Sequence, residues 1–330
     1  MDDDLKVITA ITDALNTSLD TAEVLPGTIE QWQTNPAVPF LLVEKNLGLP
    51  QKLLYKIYPC ALSLLKRFRS SSLTDPSSRE ANALLEASSI ILFTNPAHQS
   101  ALNQRKRLIL AGYWSVKQEL SFSKLLLSSS RVASKQSILW DHRRWLFEFE
   151  YINGRNRPGL IPTTMLQNEL DLILQGCESY PRNYYAWAHW EFCMDGCREA
   201  CASSSTAKLD YFLVVIFAFS RLLRWMEYHI SDHTAAHHLC RLVSRFHALE
   251  TVQGQLSDIN LTFSQLSEQA VSLLTRYADH EALWMYLRAI WAASEDRVLR
   301  EKLEISVTSL PPCQYRDKLV SWCTLVKQSE

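Results

Sequence analysis

His189, Cys193, Cys197 and Cys201 recur every fourth residue, so on a continuous helix they would line one face, as a zinc ion with nitrogen and sulfur ligands could require. The usual structural zinc spacing is tighter, and Gly196 weighs against the helix continuing that far. Packing is the better account, and no metal is assigned to this chain. His233 and His237 also stand four apart, but without a Glu in the His-Glu-x-x-His sense or a third ligand in view. Capping and packing account for them. Arg143 and Arg144 follow the large ring of Trp140, where guanidinium groups suit pairing with acids across neighbouring elements better than substrate contact. No glycine-rich phosphate loop, serine nucleophile elbow or kinase signature occurs in the sequence. An active site complete within this chain is therefore not expected.

Composition sets the class of molecule that must position these residues. The 330 residues are 47% hydrophobic, with only 8 Gly, so the chain can bury a sizeable core and favours helix over turn-rich β structure. A formal net charge of -1 supplies no overall field to attract nucleic acid or an anionic membrane. The longest apolar run, Tyr211 to Phe219, is 9 residues, too short for a membrane span and suited to a buried helix. The acidic start Met-Asp-Asp-Asp-Leu-Lys has neither the basic end nor the apolar core of a signal peptide. Eight cysteines in such a chain read as reduced thiols in a cytoplasmic setting.

Periodicity and punctuation then divide the chain. Residues 1–40 read as one short helix and a loop, because Pro26, Gly27 and Pro36 interrupt any longer pattern. Helices are expected near 52–69, 79–93, 98–111, 114–129, around Trp140, and near 163–178, 184–195, 205–229, 233–247, 261–276, 280–293, 296–308 and 313–327. Ser70–Ser78 reads as a loop, and Asn153–Gly159 with Pro162 is the strongest break, read as a surface loop because the repeat resumes beyond it. No alternating apolar stretch argues for a sheet. The fold class is all-α.

The helices carry an internal repeat. Leu102, Trp140, Trp187, Ala236 and Trp284 serve as anchors separated by 38, 47, 49 and 48 residues, room for two helices and two connections each. Two positions after each anchor stand Gln104, His142, His189, His238 and Tyr286, all polar-tipped. Four positions before it stand His98, Gln136, Asn183, Asp232 and His280, placed to cap the helix that follows. Each copy is a helical hairpin that cannot bury its apolar stripe alone, so the anchor ring seals one hairpin against the next. On this reading the chain is a single helical-repeat domain over 1–330: N-terminal helices and loops over 1–89, five copies over 90–293 and a C-terminal helical cap over 294–330.

The frame Pro181-Arg-Asn-Tyr-Tyr-Ala-Trp-Ala-His189, with Trp140-Asp-His-Arg-Arg144, resembles the repeat of protein prenyltransferase α subunits. Leu42-Val-Glu-Lys-Asn-Leu-Gly48 and Ile230-Ser-Asp-His-Thr-Ala-Ala-His237 are similar to a repeat-containing branch of that family implicated in a third type of geranylgeranyltransferase. The resemblance implies an α-α superhelix, a crescent of helical hairpins wrapped around a β subunit, with Rab geranylgeranyltransferase β as its type. The catalytic zinc and most of the isoprenoid pocket would belong to that partner, with no cofactor in this chain. The α subunit would contribute residues near the diphosphate of the isoprenoid: Lys135 from the second copy, and Arg182 and Tyr184 from the third.

Geranylgeranyl transfer to a cysteine near the C-terminus of a protein substrate is then the expected activity, shared with the β subunit and absent from this chain alone. A cation at Lys135 suits a leaving group whose charge grows as the carbon–oxygen bond breaks; a solvated helix start is the plainer reading of the same residue. Two departures from the family pattern matter. The second copy has Gln136-Ser137 in place of Asn-Tyr, and the third has Trp190 in place of Arg. The alternative function is a non-catalytic helical scaffold that binds protein partners.

Overall fold

The computed structural model describes residues 2–32, 39–70, 79–152, 159–202, 208–246 and 261–329. In chain order these form α1 (Asp2–Leu15), β1 (Thr21–Leu25), the single turn α2 (Ile29–Trp32), β2 (Leu41–Val43), β3 (Asn46–Pro50), α3 (Gln51–Phe68), α4 (Arg79–Thr94) and α5 (Gln99–Leu110). There follow α6 (Val116–Ser128), the short α7 (Arg131–Ser134), α8 (Ser137–Phe147), α9 (Thr163–Ser179), α10 (Tyr184–Ala202) and α11 (Lys208–Tyr228). The chain continues through α12 (His233–Phe246), α13 (Phe263–Arg276), α14 (Glu281–Ala293), α15 (Arg297–Ser309) and α16 (Gln314–Ser329). The fold class is all-α. The breaks expected at 71–78 and 153–158 lie outside the described residues.

Local chemistry explains many helix ends. Ser115 opens α6 with a reciprocal capping box to Gln118, and Asp296 caps α15 through the amides of Val298 and Leu299. Past the end of α5, Gly112 takes φ +81° while its amide bonds Ile109 and the amide of Tyr113 bonds Leu108 at 2.9 Å. This Schellman closure needs the left-handed conformation that glycine adopts without strain.

Two sequence expectations are corrected. Residues 21–50 hold a three-stranded sheet of order β1-β3-β2, with β1 parallel and β2 antiparallel to β3. Strands of 3 to 5 residues are too short to show alternation, and the parallel partner of β1 lies beyond the reach of any local pattern. The outer edge of β1 is tied to the end of α6, where Val24 donates to the carbonyl of Ser129 at 3.1 Å. In addition, α10 runs unbroken through Gly196 to Ala202; tertiary burial of Cys193, Cys197, Ala200 and Cys201 outweighs the roughly 1 kcal/mol that a helical glycine costs.

The described residues divide into two compact units, Met1–Ile161 with Glu169–Phe192, and Pro162–Asn168 with Cys193–Glu330. The second unit buries apolar stripes such as Ala235, Leu239, Leu242, Val243 and Phe246 of α12 against α11, α13 and α14. There Tyr286, two positions after the Trp284 anchor, donates to Gln269 Oε1 at 3.4 Å, and Gln269 donates to the carbonyl of Leu223 at 2.6 Å.

The first unit is held by two buried charged triads of one design. Glu119 of α6 receives Arg105 of α5, whose Nε lies 2.9 Å from each carboxylate oxygen, and His142 Nε2 of α8 at 2.7 Å. Glu169 of α9 receives Arg143 of α8, with Nε 2.9 Å from Oε2 and a second contact from Nη2 to Oε1, and His189 Nε2 of α10 at 2.9 Å. In each triad the arginine stands three residues after one anchor and the histidine two residues after the next. Each arginine also donates to serines of a preceding helix, Ser88 and Ser89 for Arg105 and Ser123 for Arg143. Arg143 thus pairs across helices, whereas Arg144 pairs with Asp141 on its own turn.

Burial by itself raises both carboxyl pKa values. Arg105 and His142 outweigh it at Glu119, as Arg143 and His189 do at Glu169, and both acids are held down to about 2. Burial also pushes the two histidines down from their ordinary 6.5. Each is a neutral ring donating from Nε2 to a carboxylate.

These contacts predict graded costs. Arg143→Ala strands a buried carboxylate and should lose about 3–5 kcal/mol of stability in urea unfolding. Trp140→Ala should lose a similar amount through its cavity, while Arg144→Ala should stay within about 0.5 kcal/mol, since its partner is exposed. All four triad groups bind a proton less readily folded than unfolded, so stability rises with pH across their range. Urea midpoints should hold above about pH 6.5, decline below it as the unfolded histidines protonate, and fall more steeply from the ordinary carboxyl value of 4.5 towards 2. Glu119→Gln with Glu169→Gln should flatten the lower limb.

Candidate functional site

The anchors Leu102, Trp140, Trp187, Ala236 and Trp284 are all buried, none more than 3% exposed. Two of the rings are fixed through the turns that precede them. Trp140 donates from Nε1 to the carbonyl of Ser134 at 2.8 Å, and Trp284 repeats the bond to Ala278, likewise six residues back, at 2.6 Å. The residue four before the anchor caps as expected in three copies: His98 accepts from Ala101, Asn183 from Ala186, and Asp232 from Thr234 and Ala235. Gln136 and His280 make no side-chain cap. Gln136 instead bonds the carbonyl of Val132 behind it.

The turns before the second and third anchors meet. Asn183, 1% exposed, donates from Nδ2 to the Ser134 carbonyl at 2.8 Å, to Ser134 Oγ at 3.2 Å and to the Gly176 carbonyl at 3.4 Å. Ser134 Oγ in turn donates to the Gly176 carbonyl at 3.0 Å. A Cβ on Gly176 would stand 3.0 Å from Trp140 Cζ2, so only glycine lets the ring come this close.

This junction places the three residues singled out from the sequence on adjoining turns. Lys135 follows Ser134 directly, and Arg182 and Tyr184 flank Asn183. All three are exposed, Tyr184 by 75%. Lys135 Nζ lies 5.7 Å from the Tyr180 ring centre and Arg131 lies 5.3 Å from it, both within cation–π range. Arg182 adopts φ +60°, a conformation that a non-glycine residue holds only where its surroundings impose it. Tyr184 meets Tyr185 edge-on at 5.6 Å. The resulting surface carries three cations and phenol rings on a rigid floor, chemistry suited to a multiply charged anion. Tyr180 and Arg131 stand 49 residues apart in the sequence, so their convergence has no local signal. Asn183 read only as a cap; its second role involves a residue 49 positions away.

The other candidates are engaged in packing. His189 is held by Glu169, while burial raises the thiol pKa values of Cys197 and, to about 11, Cys201, so both keep their protons at neutral pH. No group of three or more metal-capable side chains occurs among the described residues. His238 is buried, and Trp190 is sealed from solvent and meets Trp187 edge-on at 5.7 Å. The family's arginine position is thus apolar here. In the second unit a cavity of about 190 Å³ opens among Leu287, Trp291, Leu303, Val307, Leu319 and Cys323, bordered by the Lys327–Glu304 pair at 2.6 Å. None of its lining residues belongs to the turns described above. Among the described residues no helix is long and apolar enough to cross a membrane.

A family profile described as "Protein prenyltransferase alpha subunit repeat" matches residues 166–197, the segment that holds Glu169, Gly176 and the Pro181–His189 frame. The protein prenyltransferase alpha subunit repeat-containing protein 1 of Homo sapiens is 24% identical, over 87% of this chain and 76% of its own length. Its Danio rerio namesake is 24% identical over 96% and 78%, and form 1-B of Xenopus laevis is 23% identical over 90% and 74%. Residues 166–197 thus match the protein prenyltransferase alpha subunit repeat, and over most of its length the chain is similar to the repeat-containing protein 1 group.

Proposed function

We propose that this chain is the α subunit of a heterodimeric protein prenyltransferase that transfers a geranylgeranyl group to a cysteine in the C-terminal region of a protein substrate. In the reaction the thiolate sulfur forms a bond to the first carbon of the isoprenoid as the carbon–oxygen bond to diphosphate breaks. The β subunit, of the Rab geranylgeranyltransferase type, holds the substrate thiol at its zinc ion. This chain, with its five copies over 90–293, brings charge to the departing diphosphate: Lys135 and Arg182 as cations and the Tyr184 hydroxyl as a donor. The observation that carries the reading is the seating of Lys135, Arg182 and Tyr184 on two turns joined by the Asn183–Ser134 bond at 2.8 Å. Preformed donors aimed at developing charge are an effective way for a protein without a nucleophile of its own to accelerate group transfer.

A scaffold with no catalytic part is favoured by one feature, the uncapped second copy at Gln136. Co-expression with a geranylgeranyltransferase β subunit separates the two readings: a stable heterodimer with transfer activity is expected, and failure to co-purify with any such subunit removes the enzymatic one. In the complex, Lys135→Ala should slow single-turnover transfer roughly 10²-fold and Tyr184→Phe roughly tenfold, with the heterodimer intact by gel filtration. Wild-type rates in both would reassign the site.

A further inference from the structure

The turn that carries Lys135 is held locally by the Ser130 cap on the Ala133 amide and by the Gln136 side chain on the Val132 carbonyl. It ends a helix of 4 residues, α7, and Gln136 gives the next helix no side-chain cap. Further support comes from the following copy. Asn183 does two jobs at once: its Oδ1 accepts from Ala186 to cap α10, and its Nδ2 spans the carbonyls of Ser134 and Gly176. The Ser134 carbonyl is thereby filled on both lone pairs, by Asn183 and by the Trp140 indole. Facing two carbonyl oxygens at a site where Asn183 is 1% exposed, a donor fits and an acceptor does not, because an acceptor would set a third oxygen against the two carbonyls with no hydrogen between them.

We propose that Asn183 is a positioning residue that sets the register of the Lys135 turn against the turn bearing Arg182 and Tyr184, through the carbonyl of Ser134. It touches no reacting atom and acts through Lys135. For its effect on transfer the inference rests on the reading given under Proposed function; as a structural clamp it stands without it.

Asn183→Asp tests both levels. The carboxylate keeps the side chain's size and still caps α10, but it turns an acceptor towards the Ser134 carbonyl. In the full chain, amide hydrogen exchange over 131–139 should rise tenfold or more while α10 stays protected as in the wild type. In the heterodimer, kcat should fall about 10- to 100-fold with KM for the protein acceptor unchanged. The double variant with Lys135→Ala should be no slower than Lys135→Ala alone, since residues acting through one group do not add. Should the aspartate variant fail to fold, Ser134→Ala removes only the two hydroxyl bonds and should give the same pattern at smaller amplitude. Unchanged exchange over 131–139, or rate losses that multiply in the double variant, would overturn the proposal. A wild-type rate in Lys135→Ala would instead remove Lys135 from the transfer site, and the exchange result would still decide the clamp.

Discussion

The carboxylate of Glu169, with its counterpart Glu119, is the constraint from which the first unit follows. A charge placed in a dry interior must be matched by partners at fixed geometry, and these acids are matched twice, by an arginine from the helix before and a histidine from the helix after. Three helices are thus fixed in rotation about one carboxylate, which apolar packing alone does less sharply. The anchor rings then fill the space that the triads leave. Trp140 enters against Gly176 because α8 and α9 are already held in register by Arg143 and Glu169.

The third copy is built differently. Trp190 stands where the first two copies place Arg105 and Arg143, and Glu119 and Glu169 are the only buried acids among the described residues. In the second unit a neutral contact through Gln269 joins Tyr286 to the carbonyl of Leu223.

This division of labour bears on function. His142 and His189 are neutral donors to acids, and Arg143 is paired across helices in a triad, as its place after the Trp140 ring suggested. Lys135, Arg182 and Tyr184 instead stand on exposed turns above the contacts of Ser134, Gly176 and Asn183, and Arg182 and Tyr184 lie in the Pro181–His189 frame within the repeat match at residues 166–197.

By itself the sequence determined the helices, because their apolar periodicity, caps and glycine or proline stops are local, and it determined the anchor frame, because a repeat displays its own spacing. The resemblance to the repeat family pointed to three turn residues, Lys135 before Trp140 and Arg182 and Tyr184 before Trp187. The tertiary structure alone decided what those positions meet. Glu119 and Glu169 each read as one acid in a helix, since their partners stand 14 to 26 residues away; the β1–β3 pairing lies across more than 20 residues of sequence; and α10 passes through Gly196 because its far end is buried. The Asn183–Ser134 contact spans 49 residues. Such contacts depend on distance in space after the helices pack, a quantity that no local pattern in the chain encodes.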